Sequence, residues 1–395
     1  MTTKSDLTRP IGVTGLSLWR GIIGEEYLPA LKGAKAYKIF REMEDDIVIG
    51  ALLDAMKRPL LAAEFGVSPA SEKEPDLKAA EFIEQNMYDM NQYSWRQHVL
   101  DCLDMLTFGW AISEAVFKKR QGMDGKPSSM YDDGRLGLQS LEPRAEETLD
   151  HWGTDEDGNF SSMVQRDPNS GQLYEVPLWK SVHCTFRSRK RNPEGRSPFR
   201  SLYKAWYLRK NLEVFEAIGI ERDLAGLPVI KLPYGATGSD ADFAEKLVRR
   251  LRQDEEAGVV LPGPRTPDAQ AQKWELVLLS GGNKMYNTRE TIRDYNKLLL
   301  MRFFAQFLLL GMGEVGTQAL VKGSHDFFSL CLKSIQQELT EAWNQQLVPL
   351  LFRFNKFPGM TVYPEITWSE PGKADTKALA DTVGSLVSKI GRAHV

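Results

Sequence analysis

The sequence predicts an α+β chain of more than one lobe, and three observations predict it. Residues 110–189 carry short, part-alternating apolar runs separated by turn clusters, which is the period of strands and hairpins. Three long stretches further on repeat apolar residues every three or four positions, which is the period of helices. The first two of those stretches bracket an insert, residues 227–286, whereas connections within helix bundles usually run to about 2–8 residues. At 395 residues the chain is also long for a single core.

Residues 1–34 read as an N-terminal arm. Residues 35–58, KAYKIFREMEDDIVIGALLDAMKR, read as a helix or helix pair, with Asp45 and Asp46 placed to cap the second part and Pro59 to end it. Leu60 to Ser68 reads as a strand. Pro75 to Met90 and Ser94 to Leu106 read as two helices, with Pro75 and Ser94 as start signals. WAISEAVFKK, RLGLQSLEP, NFSSMVQR, QLYEVPLW and SVHCTFRS then form a meander of strands, so residues 35–195 make an α+β lobe. RSRKRNPEGR (187–196) reads first as a solvated hinge and second as a phosphate contact.

The first long helix spans residues 196–226, opened by Ser197–Pro198 and stopped by Gly226. Phe199, Leu202, Trp206, Leu208, Leu212, Phe215 and Ile218 share its apolar face. In the insert, PVIKLP (228–233) reads as a strand. A helix capped by Ser239 or Asp240 follows, then strands GVVLPG (258–263) and KWELVLLS (273–280). That unit is too small for a catalytic domain and suits interaction. The second long helix spans 287–310 and the third 326–355, with the Gly-punctuated loop 311–325 between them. Pro349 should kink the third helix, because it removes a backbone donor and crowds the preceding turn. Residues 356–395 add a short strand and a last helix.

Composition excludes several classes. Net charge is −3, so the chain either avoids tight DNA binding or touches DNA without gripping it. Cys102, Cys184 and Cys331 are far apart and odd in number, which suits a reducing compartment without disulfides or zinc. The N-terminus has no apolar leader, and the run Leu298 to Met312 is interrupted by Arg302 and Gln306. Gly311, Gly313 and Gly316 fit G-x-G-x-x-G, but a dinucleotide site needs a strand before the glycines and the preceding period is helical. No P-loop, G-x-S-x-G or H-E-x-x-H occurs, and the five histidines lack ligand spacing. His183 and Cys184, adjacent in a strand, point to opposite faces. The Asp45–Asp46 pair is explained by a helix N-terminus. The residues indicate no catalysis, no cofactor and no metal.

Three segments resemble the portal proteins of tailed bacteriophages, nearest the Mu-like branch. YKIFREMEDDIVIGALLDAMKRPLLAAEFGV (37–67) is similar to the family's opening helix-to-strand pattern. GRSPFRSLYKAW (195–206) is similar to its G-x-S-P entry into the first stem helix. LGMGEVGTQALVKGSHDFF (310–328) is similar to the segment joining the second stem helix to the long wing helix. The resemblance implies a portal-type architecture: an α+β wing (35–195), stem helices (196–226 and 287–310), a clip (227–286), a tunnel loop (311–325) and a long wing helix (326–355). It also implies a short crown-like end (356–395), within which IGRAHV (390–395) reads as translated sequencing adapter or, alternatively, a natural tail.

The implied function is a ring of twelve copies in the virion, formed in the host cytoplasm, through which double-stranded DNA is packaged and ejected. The terminase large subunit, head-to-tail adaptors and the major capsid or scaffold protein are the implied partners, with no membrane. Gln318, Lys322 and His325 become the DNA-facing candidates. Arg249, Arg250, Arg252 and Arg265 become the clip's docking candidates, and Gly311, Gly313, Gly316 and Gly323 the loop hinges. The other readings are a nucleotide-cofactor enzyme on residues 311–316 or a different oligomeric virion adaptor.

Overall fold

Asp46 decides how the chain enters its first core. In the computed structural model, which describes residues 12–225, 227–232, 236–252, 275–279, 288–305 and 318–369, its carboxylate accepts from the N–H groups of Val48 (3.0 Å) and Ile49 (3.2 Å). That cap splits the predicted helix into α1 (Ala34–Glu44) and α2 (Ile47–Ala62). Ahead of them, the arm forms a two-residue hairpin, β1 (Leu18–Trp19) with β2 (Ile22–Ile23). Pro59 does not end α2, contrary to the sequence reading; the helix continues to Ala62 and only β3 (Phe65–Ser68) is extended. A proline inside a helix costs ~3 kcal/mol, and burial of each apolar neighbour such as Met56 and Leu60 returns ~1.5–3 kcal/mol.

The chain divides into two compact units, Met1–Tyr203 with Lys297–Val395, and Lys204–Asn296. In the first, α3 (Glu74–Tyr88), α4 (Trp95–Cys102) and α5 (Met105–Phe108) follow β3. Ser94 caps α4 by accepting from Gln97 N–H at 3.1 Å. Six strands then come in order: β4 (Trp110–Lys119), β5 (Leu136–Arg144), β6 (Leu149–Thr154), β7 (Phe160–Arg166), β8 (Leu173–Pro177) and β9 (Ser181–Thr185). They pair antiparallel as two three-stranded sheets, β5-β4-β9 and β6-β7-β8. The sequence reading missed β6, because Asp150 and Gly153 are weak strand formers. Packing overrides them: the buried Trp152 ring meets Trp110 edge-on at 5.1 Å, and Asp150 accepts from Arg166 on β7.

Helix α6 (Phe199–Ala225) starts where predicted. Ser197 Oγ accepts from Phe199 N–H (3.1 Å) and donates to the Thr107 carbonyl (2.5 Å), tying the helix entry to α5. The second unit holds most of α6 with β10 (Leu227–Lys231), α7 (Gly238–Arg252), β11 (Glu275–Leu279) and most of α8 (Thr288–Met301). β10 and β11 are antiparallel with Val229 opposite Val277. The predicted strand 258–263 lies outside the described residues. Inside this unit the buried Arg209 guanidinium donates to Asn296 Oδ1 at 2.7 Å, and Thr288 Oγ1 donates to Glu216 at 2.9 Å. These contacts join α6 to α8 through hydrogen bonds rather than apolar packing alone.

Helix α8 ends at Met301, earlier than the sequence predicts. Phe304 N–H bonds to Met301 O and Ala305 N–H to Leu300 O, with Phe304 at φ +57°. This is a Schellman stop whose left-handed residue is a phenylalanine rather than a glycine. Burial of Phe303 and Ala305 and stacking of Phe304 on Phe327 at 5.2 Å offset the strain.

The last long helix is α9 (Gln318–Ala342), one π turn over Trp343–Leu347, and α10 (Val348–Phe354). It starts earlier than predicted, so residues 318–325 are helical and not loop. The irregularity expected from Pro349 is this π turn, in which Val348 N–H reaches back to Trp343 O. Three carboxamides from this stretch each pair twice with one backbone residue on an open strand edge. Gln346 bonds both groups of His183 on β9 (2.7 and 2.9 Å). Asn355 does the same for Leu136 on β5 (3.0 and 2.9 Å). Asn344 does so for Ile366 (2.8 and 3.1 Å) on β12 (Glu365–Trp368), a strand that itself pairs with β3. Edge strands otherwise expose unpaired N–H and C=O groups, so the helix seals three of them with side chains. The final helix expected after Ala374 lies outside the described residues.

Candidate channel and docking surfaces

The apolar residues of α6 fall into a buried group and an exposed group. Phe199, Leu202 and Trp206 are buried in the described chain. Val214 and Phe215 are 54% and 66% exposed, and Ile218 and Ile220 are exposed with them. Leu298 and Met301 on α8 are likewise half exposed. The single stripe read from the sequence does not hold: at about 100° per residue, Phe215 and Ile218 lie on the side of the helix away from Phe199, Leu202 and Trp206, and among the described residues nothing covers them. Scattered exposed apolar residues are ordinary; a row of them on one long helix marks a surface that another molecule covers.

A second feature lies just ahead of α6. The loop 187–196 holds Arg187, Lys190 and Arg191 at φ +48°, +57° and +56°. Non-glycine residues rarely adopt this conformation, and three within five positions turn the side chains outward from a tight bend. Gly195 closes the bend: a Cβ there would meet Gly109 O at 2.2 Å, and Arg196 N–H bonds back to Phe186 O at 2.8 Å. Lys190 is paired with Glu25 at 3.1 Å. Arg187, Arg189, Arg191 and Arg196 are exposed and have no carboxylate partner among the described residues. Arg302 completes the group and donates to Ser201 Oγ at 2.8 Å. Burial, then the neighbouring Arg187 and Arg196 charges, lowers the Arg302 pKa below its ordinary value. Glu338 on α9 approaches the Arg187 backbone N–H, yet burial pushes its carboxyl up to about 7. It is therefore a weak counter-ion for this group near neutral pH.

Two of the histidines, His98 and His183, are structural. His98 Nε2 accepts from Trp343 Nε1 at 3.1 Å, and burial drives its pKa down to about 3. His183 packs beside both Trp110 and Trp152, with Nε2 2.8 Å from Pro193 O, and burial lowers its pKa to about 4. Both are neutral core side chains at ordinary pH. Asp46 caps a helix, as expected from the sequence. Among the described residues no group of three His, Cys, Asp or Glu side chains could hold a metal ion. Among them, too, no helix is long and apolar enough to cross a membrane.

The predicted site residues divide between helix and undescribed segments. Gln318, Lys322, Gly323 and His325 lie in the first turns of α9. Arg249, Arg250 and Arg252 lie in the last turns of α7, with positions 249 and 252 one turn apart. Gly311, Gly313, Gly316 and Arg265 lie outside the described residues. Sequence reasoning saw the charge of 187–196 but not that its arginines go unpaired, nor that Arg302, more than a hundred positions later, joins them. The signal it had was the density of arginine in a chain that is otherwise close to neutral.

A family model described as the portal protein of Mu bacteriophage matches residues 37–392. Among solved structures, a chain from the virion of a native gene transfer agent particle superposes with a TM-score of 0.55. It is 13% identical, and the match covers 91% of this chain and 89% of that one. A chain from the neck of a native gene transfer agent particle, computed with C12 symmetry, gives a TM-score of 0.54 at 12% identity, covering 88% and 86%. At these identities the superpositions speak to fold, and the fold they share is this mixed one of strands and long helices over nearly the whole chain. The helix–insert–helix order, the sealed lobe and the family match from the first core helix almost to the end converge: this chain belongs to the family of Mu-type bacteriophage portal proteins.

Proposed function

We propose that this chain forms a twelve-membered ring at the unique vertex of a phage capsid, the channel through which DNA is packaged and later ejected. The observation that carries the reading is the family match over residues 37–392. The exposed apolar side chains Val214, Phe215 and Ile218 of α6 support it, since a ring gives each copy two neighbours that can cover them. In this reading the unit Lys204–Asn296 is the clip with its adjoining stem. It docks the terminase large subunit during packaging and head-to-tail adaptors afterwards, with Arg249, Arg250, Arg252 and Arg265 as contacts. Residues 311–325 line the narrow part of the channel, and Gln318, Lys322 and His325 are the side chains nearest DNA. The remaining lobe meets the capsid or scaffold protein, and the complex resides in the virion after assembly in the host cytoplasm. The role is structural, with no catalytic step assigned to any residue.

The test is native mass and negative-stain imaging of the purified full chain. A ring with a central hole, at about twelve times the 44.6 kDa subunit, is expected. A monomer that stays monomeric when co-expressed with its capsid and scaffold proteins would sink the reading.

A further inference from the structure

We propose that Arg187, Arg189, Arg191, Arg196 and Arg302, none of them among residues 311–325, form a contact surface for the phosphate backbone of DNA. This deepens the portal reading and rests on it for the presence of DNA.

Arg41, Arg58, Arg120, Arg135, Arg144, Arg166 and Arg200 each have a carboxylate within 4 Å. The five guanidinium groups of the cluster form no ion pair within 4 Å among the described residues, although Glu338 lies near Arg187 and the chain carries 53 acidic residues against 50 basic ones. Among the described residues of the same unit, Arg20, Arg96 and Arg353 also lack a carboxylate within 4 Å, but they stand singly, whereas the loop's arginines are grouped. Gathering unneutralised guanidinium groups costs free energy through mutual repulsion. The bend that gathers them adds three strained backbone residues. Strain and repulsion at one exposed loop are retained where an external anion relieves them. Arginine, rather than lysine, fits an oxyanion with two parallel N–H donors.

DNA is favoured over an acidic segment of a neighbouring copy. In two acidic turns of the same unit the aspartate that shapes the hairpin is internally occupied. Asp155 accepts from its own turn's Asp157 and Asn159 N–H groups at 3.0 and 2.8 Å. Asp167 accepts from Asn169 N–H at 2.9 Å and Ser170 Oγ at 2.5 Å. Their carboxylates are already committed to shaping hairpins. A phosphate backbone offers a repeating row of anions to a row of exposed guanidinium groups, and needs no shape complement.

The test measures binding of the purified full chain to a short duplex by fluorescence anisotropy between about 50 and 200 mM salt. The triple variant R187Q/R189Q/R191Q should lower the slope of log K against log salt by about 2.7, which is about 0.9 for each phosphate that is no longer neutralised. The variant R187K/R189K/R191K keeps the charges and should keep the slope. R249Q/R250Q, on the other unit, should leave it unchanged. An unchanged slope in the glutamine triple, or an equal fall in the lysine triple, would overturn the proposal. So would disappearance of the ring in the glutamine triple, which would make these residues contacts between copies. Displacement of the duplex by micromolar inorganic triphosphate would point to a closed pocket for a small polyphosphate, and would also overturn it. Should the wild type fail to form a ring while the triple still lowers the slope, the portal reading falls and the DNA surface stands.

Discussion

Glu146 is the residue where burial and charge most directly govern stability. It begins a short 3-10 turn after β5 and is 5% exposed. Burial, and next the nearby Asp104 carboxylate, pushes its pKa up to about 8, while Arg41 pulls weakly the other way. The folded state therefore holds a proton that the unfolded chain releases near its ordinary value of 4.5. Stability from this group is full below about pH 4.5, falls as pH rises, and is lost once pH passes about 8. Between those values the slope approaches ~1.4 kcal/mol per pH unit. Glu146→Gln mimics the protonated form. Its melting temperature should depend less on pH than the wild type's between pH 5 and 8, and should exceed the wild type's at pH 8. Parallel pH profiles for the two proteins would show that Glu146 ionises freely in the folded state.

At the scale of elements, the π turn of residues 343–347 sets the register of everything after it. A π turn is one residue inserted into an α-helix. Here it lets Asn344 reach β12, Gln346 reach β9 and, further on, Asn355 reach β5. Deleting Gln345 would restore an ordinary α-helix and rotate one side of the turn by about 100° against the other. At least one carboxamide pair must then break, leaving a strand-edge N–H and C=O without partners. Each orphaned group costs ~1–3 kcal/mol. The deletion should lower the denaturant midpoint by more than Asn344→Ala alone. Equal midpoints for the two variants would mean that the π turn carries no register. The same elements show what a sequence discloses. Helices α3, α6 and α7 were legible from local start signals and composition, although α7 begins at Gly238, so Ser239 and Asp240, expected as its caps, lie inside its first turn. The β12–β3 pairing, the strand β6 and the Phe304 stop were not, because each depends on partners tens to hundreds of positions away. The candidate site divides in the same way. The charge of 187–196 was visible in the sequence, while the lack of ion pairs to its arginine side chains among the described residues is a property of the folded lobe.

At the scale of the whole molecule, the question is what covers Val214, Phe215 and Ile218. A single chain leaves them in water, at a cost of ~25 cal/mol for each Å² of apolar surface that a neighbour would bury. In a closed ring the same patch is used on every copy, so one substitution is repeated around the whole assembly. Phe215→Asp places a charge on that face without touching the core, since Phe215 is 66% exposed in the isolated chain. Thermal unfolding of the dissociated subunit should therefore stay within about 0.5 kcal/mol of the wild type, as for most surface changes. The native mass should fall from the ring toward the single subunit, because a carboxylate left unpaired in an interface costs far more than in water. Phe215→Leu, which keeps the face apolar, should retain the ring. If Phe215→Asp still assembles fully, the α6 face points into the solvent of the channel or outward from the ring, and the contacts between copies lie on other elements.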